Sequence, residues 1–315
     1  MEDLAGFADY PSARSRKILA PYSDRYPSFV PSAKTEVIEW VFDRRYDPST
    51  GRLSDAIVTM DDISDGIVAT NAKLSSSNPA NFWKDLTRNG TAGLNRNWPQ
   101  SVFVRGYAGA DAIGQGRRAV FTFVGIVAGQ AEPFLEGLLL DDHLPAIRLQ
   151  SLSMPQSMKA LGRPGENWHA QVADRLNVVS SFFALCSPRN VPPRSVHEVN
   201  FLQTGIKMRG GETDAAFSLS ADDGQWLVSA EVKGRTEQFH TPQIARAAHN
   251  LQAMAKSTKG STLGDLTGVI PLGIKVVGPS KLWVIEFTPV ESADTPLDKV
   301  AEGLFELVPH VPGIE

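Results

Sequence analysis

Asp214, Glu231 and Lys233 are the residues of this chain whose types and spacing could do chemistry. Asp214 enters the run Thr213 to Leu219, and a polar stretch separates it from Trp226-Leu-Val-Ser-Ala-Glu231-Val-Lys233-Gly234. Side chains alternate between the two faces of a strand, so Glu231 and Lys233 project together, and a hairpin would set Asp214 beside them. Two carboxylates can hold Mg²⁺, a hard ion that takes few protein oxygens and keeps waters exchangeable for phosphate. An ammonium at the same spot adds positive charge where an attacked phosphodiester gains negative charge. Trp226, Leu227, Val228, Ala230 and Val232 make the segment mostly apolar, as a buried strand requires. Burying Glu and Lys there is costly unless they pair or bind a metal. Composition alone yields about one acidic-x-Lys triplet in such a chain, so its setting is what matters.

The elements that must position these groups have room to do so. At 315 residues, 42% hydrophobic and 21% charged, the chain is long enough for two globular domains. No apolar run reaches the length of a membrane span, and the N-terminus lacks the basic-then-apolar order of a secretory leader, so a cytoplasmic location is expected. The single Cys186 excludes an internal disulfide and a Cys-rich zinc site. A net charge of −4 argues against indiscriminate coating of nucleic acid. Basic residues nevertheless concentrate between Asn71 and Val120, with seven (Lys73, Lys84, Arg88, Arg96, Arg105, Arg117, Arg118) against two acidic ones (Asp85, Asp111).

Residues 1–30 read as an irregular arm. A helix is predicted over Thr35 to Phe42, with Val37, Ile38, Val41 and Phe42 inward, and Asp47-Pro-Ser-Thr-Gly is a turn. Met60 begins a helix with acidic residues in its first turn, and Ser-Asn-Pro79 starts another over Ala80 to Thr87. That helix is expected to bury Phe82 and Leu86 and to expose Asn81, Lys84, Arg88 and Trp83. Strands are predicted at Ser101 to Tyr107 and Ala119 to Val127, joined by a glycine-rich tip ending in Arg117 and Arg118. This order makes residues 35–128 a winged-helix candidate, whose second helix would enter a major groove while the wing grips phosphate. Lys84, Arg88, Arg96, Arg117, Arg118 and, further on, Arg235 are the candidate DNA contacts, and Trp83 and Trp98 could stack on bases. Pro133 to Leu149 reads as an interrupted helix and Ser151 to Ser157 as a linker. The expected division is a recognition domain over 1–150 and a second domain over 151–315.

The second half reads as a helix through Leu185, strands at His197 to Phe201 and Thr213 to Leu219, and the Glu231 strand. A helix from Pro242 to Lys256 follows, then strands at Gly268 to Val277 and Leu282 to Phe287. With Asp214 on the middle strand and Glu231-x-Lys233 on the next, residues 160 to 290 resemble the PD-(D/E)xK nuclease superfamily, whose largest group is the type II restriction endonucleases. Thr213 stands where the written signature has Pro.

The resemblance implies an α/β (α+β) multi-domain protein: a C-terminal mixed-sheet nuclease core behind the N-terminal DNA-binding domain. Asp214 and Glu231 would be metal ligands, Lys233 would orient the attacking water, and Glu166 matches the position of a further carboxylate on the first core helix. A first-turn residue stabilised by the helix dipole is the competing role for Glu166. Gln243 matches a Gln that some members direct at the metal, with a solvated first-turn Gln the plainer alternative. His240, Arg246, Lys207 and Arg209 are weaker DNA-contact candidates.

The expected activity is Mg²⁺-dependent, site-specific cleavage of double-stranded DNA to 5′-phosphate and 3′-hydroxyl ends. A homodimer would supply one site per strand, and a cognate DNA methyltransferase would act in the same system without being a bound subunit. A modification-dependent or structure-specific nuclease would use the same residues. A DNA-binding regulator with a merely structural nuclease-like half is the non-enzymatic alternative.

Overall fold

The computed structural model describes residues 32–74, 80–87, 97–111, 119–127, 130, 133–134, 138–208, 211–257, 266–290 and 297–315. The chain forms two compact units, Met1–Leu135 and Glu136–Glu315, so the division falls before the expected residue 150. Among the described residues no helix is long and apolar enough to cross a membrane.

In the first unit, helix α1 (Ala33–Asp43) starts from a reciprocal cap: Thr35 N donates to Ser32 Oγ, and Ser32 N donates to Thr35 Oγ1. It buries Val37, Ile38, Val41 and Phe42, as its spacing predicts. Short strands β1 (Tyr46–Asp47) and β2 (Arg52–Leu53) flank the Asp47-Pro-Ser-Thr-Gly turn. Strand β3 (Ile57–Thr59) leads into α2 (Met60–Ala69), which Thr59 and Asp62 cap reciprocally. Helices α3 (Ala80–Thr87) and α4 (Gln100–Val104) precede strands β4 (Tyr107–Asp111) and β5 (Ala119–Gly125). The three-stranded sheet is antiparallel in the order β3-β5-β4.

Two expectations for this unit are corrected. The predicted strand at Ser101 to Tyr107 is mostly helical, because Val102 and Phe103 are both buried, which neighbours on one alternating strand facing solvent cannot be. Trp83 and Trp98 are core residues and not base-stacking platforms: they are 8% and 1% exposed. Trp83 stacks on Phe121 at 5.0 Å between centroids, and Trp98 meets Phe121, Phe123 and Phe134 edge-on. Gly109 fits between them, since a Cβ there would lie 2.9 Å from Trp98, 3.0 Å from Phe134 and 3.0 Å from Trp83.

The second unit is built on a mixed seven-stranded sheet. Its strands are β6 (Ala146–Gln150), β7 (Val196–Met208), β8 (Gly211–Ala221), β9 (Gly224–Lys233), β10 (Leu266–Gly278), β11 (Lys281–Phe287) and β12 (Lys299–Val308). Their order is β6-β12-β11-β10-β9-β8-β7, with β9/β10 and β6/β12 parallel and the other pairs antiparallel. Residues 146–150, expected as the end of a helix, form the edge strand β6 because β12 offers them a partner. Helices α5 (Gln156–Leu161), α6 (Glu166–Arg175) and α7 (Val178–Leu185) follow β6, and α8 (Thr241–Ser257) links the parallel pair β9 and β10. The predicted single helix up to Leu185 is divided at Asn177, which adopts a left-handed backbone (φ 54°).

Helices α6 and α7 share a core with Ala215, Phe217, Leu219, Val228, Ala230 and Val232 on one side of the sheet. Helix α8 brings Ala245, Ala248 and Leu251 against Ala216, Leu227 and Val269 on the other. Strand β9 is therefore covered on both faces, and its odd-numbered residues 227 to 233 point to the α8 side.

Candidate functional site

The alternation of β9 places Glu231 and Lys233 on the face that α8 covers, near the strand's C-terminal end. The ladder between β8 and β9 runs from Ala221↔Gly224 to Ala215↔Ala230, and one step further would oppose Asp214 to Glu231. There the ladder gives way to a side chain, as Val232 N–H donates to Asp214 Oδ2 at 2.8 Å. Thr213 Oγ1, at the signature's Pro position, lies 2.9 Å from Ser229 Oγ and donates to Ala230 O, pinning the same two strands. Glu166 arrives from the first turn of α6. That turn is held by the chain's last residues: Trp168 Nε1 donates to Pro312 O at 2.9 Å, and His169 Nε2 lies 3.1 Å from Gly313 O.

Three carboxylates thus converge on one ammonium. Lys233 Nζ bonds Glu231 Oε1, lies 3.3 Å from Glu166 Oε1 and stands 4.0 Å from Asp214 Oδ2. Glu231 and Lys233 are 2% and 1% exposed, whereas the Asp214 and Glu166 side chains keep 16% and 29% of their surface. Gln243, in the first turn of α8, donates Nε2 to Glu231 Oε1 at 2.7 Å. The plainer expectation, a solvated Gln, is overturned. Its place just after the Glu-x-Lys strand was the only signal in the sequence.

Burial and the Glu231 charge push the Asp214 carboxyl up to about 7, against the pull of Lys233. Burial alone would lower the Lys233 ammonium, but Glu231, then Asp214 and Glu166, outweigh it and hold its proton firmly. Negative charge is in excess at a water-poor spot, so a cation is the natural complement. Glu231 Oε2 is buried and has no hydrogen-bond partner, leaving one acceptor of the donor set open. Among the described residues no group of three or more His, Cys, Asp and Glu is clustered tightly enough to hold a metal ion. The donor set suits a hard ion taking Asp214 and Glu231 and completing its sphere with water.

Other candidates fall elsewhere. Arg235, Arg246 and Lys207 are exposed, and His240 is buried at 9%, which withdraws it from any DNA-contact role. His197 pairs with Asp222 at 2.8 Å. The Asp141-Asp142-His143 loop is exposed, with His143 N donating to Asp141 Oδ1. Lys84 lies on α3, its side chain outside the described residues, as are Arg88, Arg96, Arg117, Arg118 and Arg209 altogether.

Compared with protein-family models, curated proteins and solved structures, the chain finds no match in any of the three.

Proposed function

We propose that this chain is a Mg²⁺-dependent, site-specific endonuclease of double-stranded DNA, of the PD-(D/E)xK superfamily and the type II restriction class. The observation that carries the reading is the convergence of Asp214, Glu231 and Glu166 on Lys233 Nζ at the end of a buried strand. The surrounding order supports it: helices, three antiparallel strands β7-β8-β9, helix α8, and β10 parallel to β9. In the first unit, the succession α1, β3, α2, α3, α4, β4, β5 with sheet order β3-β5-β4 supports a winged-helix reading for DNA recognition.

Asp214 and Glu231 would hold Mg²⁺, which when bound polarises the phosphodiester and activates water. Lys233 keeps its proton, so it donates a hydrogen bond and positive charge to the attacking water and the phosphate and does not act as the base. The water oxygen bonds to phosphorus and gives up a proton to solvent, the bond to the 3′ oxygen breaks, and the leaving 3′ oxygen takes a proton from solvent to become the hydroxyl. Gln243 fixes the Glu231 carboxylate, and Glu166 fixes the ammonium.

The test is incubation of the native chain, Asp214→Asn and Lys233→Ala with unmethylated and methylated phage and plasmid DNA, in Mg²⁺ and in EDTA. Discrete fragments from the native chain in Mg²⁺ alone, lost in both variants, are expected. DNA left intact under every condition by a folded native chain would sink the reading.

A further inference from the structure

Strand β7 is 13 residues long and lies at the outer edge of the seven-stranded sheet, paired with β8 alone among the described strands. Its free side offers a row of N–H and C=O groups. Val196 to Met208 contains no proline, one of the devices that block edge pairing. Leu202, mid-strand, is 51% exposed. Near the two ends stand Glu198 and Lys207, both exposed and neither in an ion pair among the described residues.

Separated by an odd number of residues, these two charges would face opposite sides of a regular strand. The register shift between Phe201 and Gln203 inserts one extra residue in β7 and changes that. Glu198 opposes Ser220, and Lys207 opposes Glu212. Ser220 and Glu212 are an even number of positions apart on β8, so Glu198 and Lys207 share one face of the sheet.

We infer that β7 pairs antiparallel with β7 of a second copy of this chain, about a two-fold axis normal to the sheet that passes between Leu202 and Gln203. Each copy's Glu198 then lies opposite the other's Lys207. The charge pattern selects this occupant, because a two-fold interface must be complementary to itself. Opposite charges directly across a strand pair stabilise it, and like charges destabilise it. Asp214 shares the face of Glu212 and Ser220, so both Asp214–Glu231–Lys233 clusters fall on one side of a sheet continuous through the dimer. The pairing stands independently of DNA cleavage. Where the cleavage reading holds, it supplies one site for each strand of a duplex.

The test is sedimentation equilibrium of the full chain, native, Glu198→Lys, Lys207→Glu and the double exchange, with circular dichroism and Tm verifying that all four are folded. The native chain is expected to dimerise reversibly. Each single change turns both symmetric pairs into like-charged ones and should weaken the dimer about tenfold. The double exchange should restore the native constant to within about threefold. A native chain that stays monomeric to about 100 μM would overturn the inference. A dimer indifferent to the single changes, or one that the double exchange fails to restore, would do the same.

Discussion

Gln243 donates its side-chain amide to Glu231 at 2.7 Å, on the same oxygen that takes the Lys233 ammonium. The helix after the Glu-x-Lys strand is thereby fastened to the buried carboxylate of that strand, and Glu231 Oε2 is left buried without a hydrogen-bond partner.

Gln243→Leu should therefore leave the fold intact and loosen Glu231. Partners that orient a metal-binding carboxylate typically contribute about 10–100-fold in affinity or activity, and a loss of that size is expected. Cleavage rate and Mg²⁺ affinity, measured separately by DNA nicking and by calorimetry, should both fall.

Asp214 gives the metal-free protein a distinctive pH dependence. Its carboxyl is raised from 3.8 to about 7, so the folded state binds a proton that the unfolded chain has released. That contribution to stability is complete below 3.8 and is lost as pH rises through about 7. In EDTA, Tm should decline across that window, and Asp214→Asn should flatten the decline. A native profile parallel to that of the variant would contradict the burial of this carboxyl.

Asp62 works in the opposite direction. It caps α2 through Thr59 and pairs with Arg45 Nη2 at 2.5 Å. Burial would raise its carboxyl, but the hydrogen bonds from Thr59 and then the Arg45 charge hold it below its ordinary value. Its stabilisation is present above 3.8 and lost as pH falls through the lower folded value. Asp62→Ala should cost about 1–2 kcal/mol at neutral pH and less in acid, read from urea denaturation at both.

Gly109→Ala should destabilise the first unit by about 1–3 kcal/mol, because its Cβ would press on Trp98, Phe134 and Trp83. The accompanying change in tryptophan fluorescence would report the disturbance where it occurs.

The Glu231–Lys233 face of β9 was legible because alternation in an apolar strand leaves these two residues on one side whatever the tertiary fold. Asp214 was legible through the hairpin. The edge strand β6 and its neighbour β12 were not, since Leu138 to Leu149 is rich in helix formers and only its pairing with β12 makes it extended. Trp83 was misplaced because α3 buries Phe82, Trp83, Leu86 and Thr87, a wider stripe than the two positions that helical spacing singled out. The hold of Gln243 on Glu231 depends on how α8 returns over the sheet, which no local pattern encodes.

The bond from Val232 N–H to the Asp214 carboxylate gives that residue a second duty, as a rung of the sheet where β8 and β9 part. Truncation and neutralisation of Asp214 are thus different experiments. Asparagine removes the charge and keeps an oxygen for the amide, while alanine also strips a crossbar from the scaffold. Comparing the two variants separates the chemistry of the carboxylate from the carpentry that holds Glu231 in place.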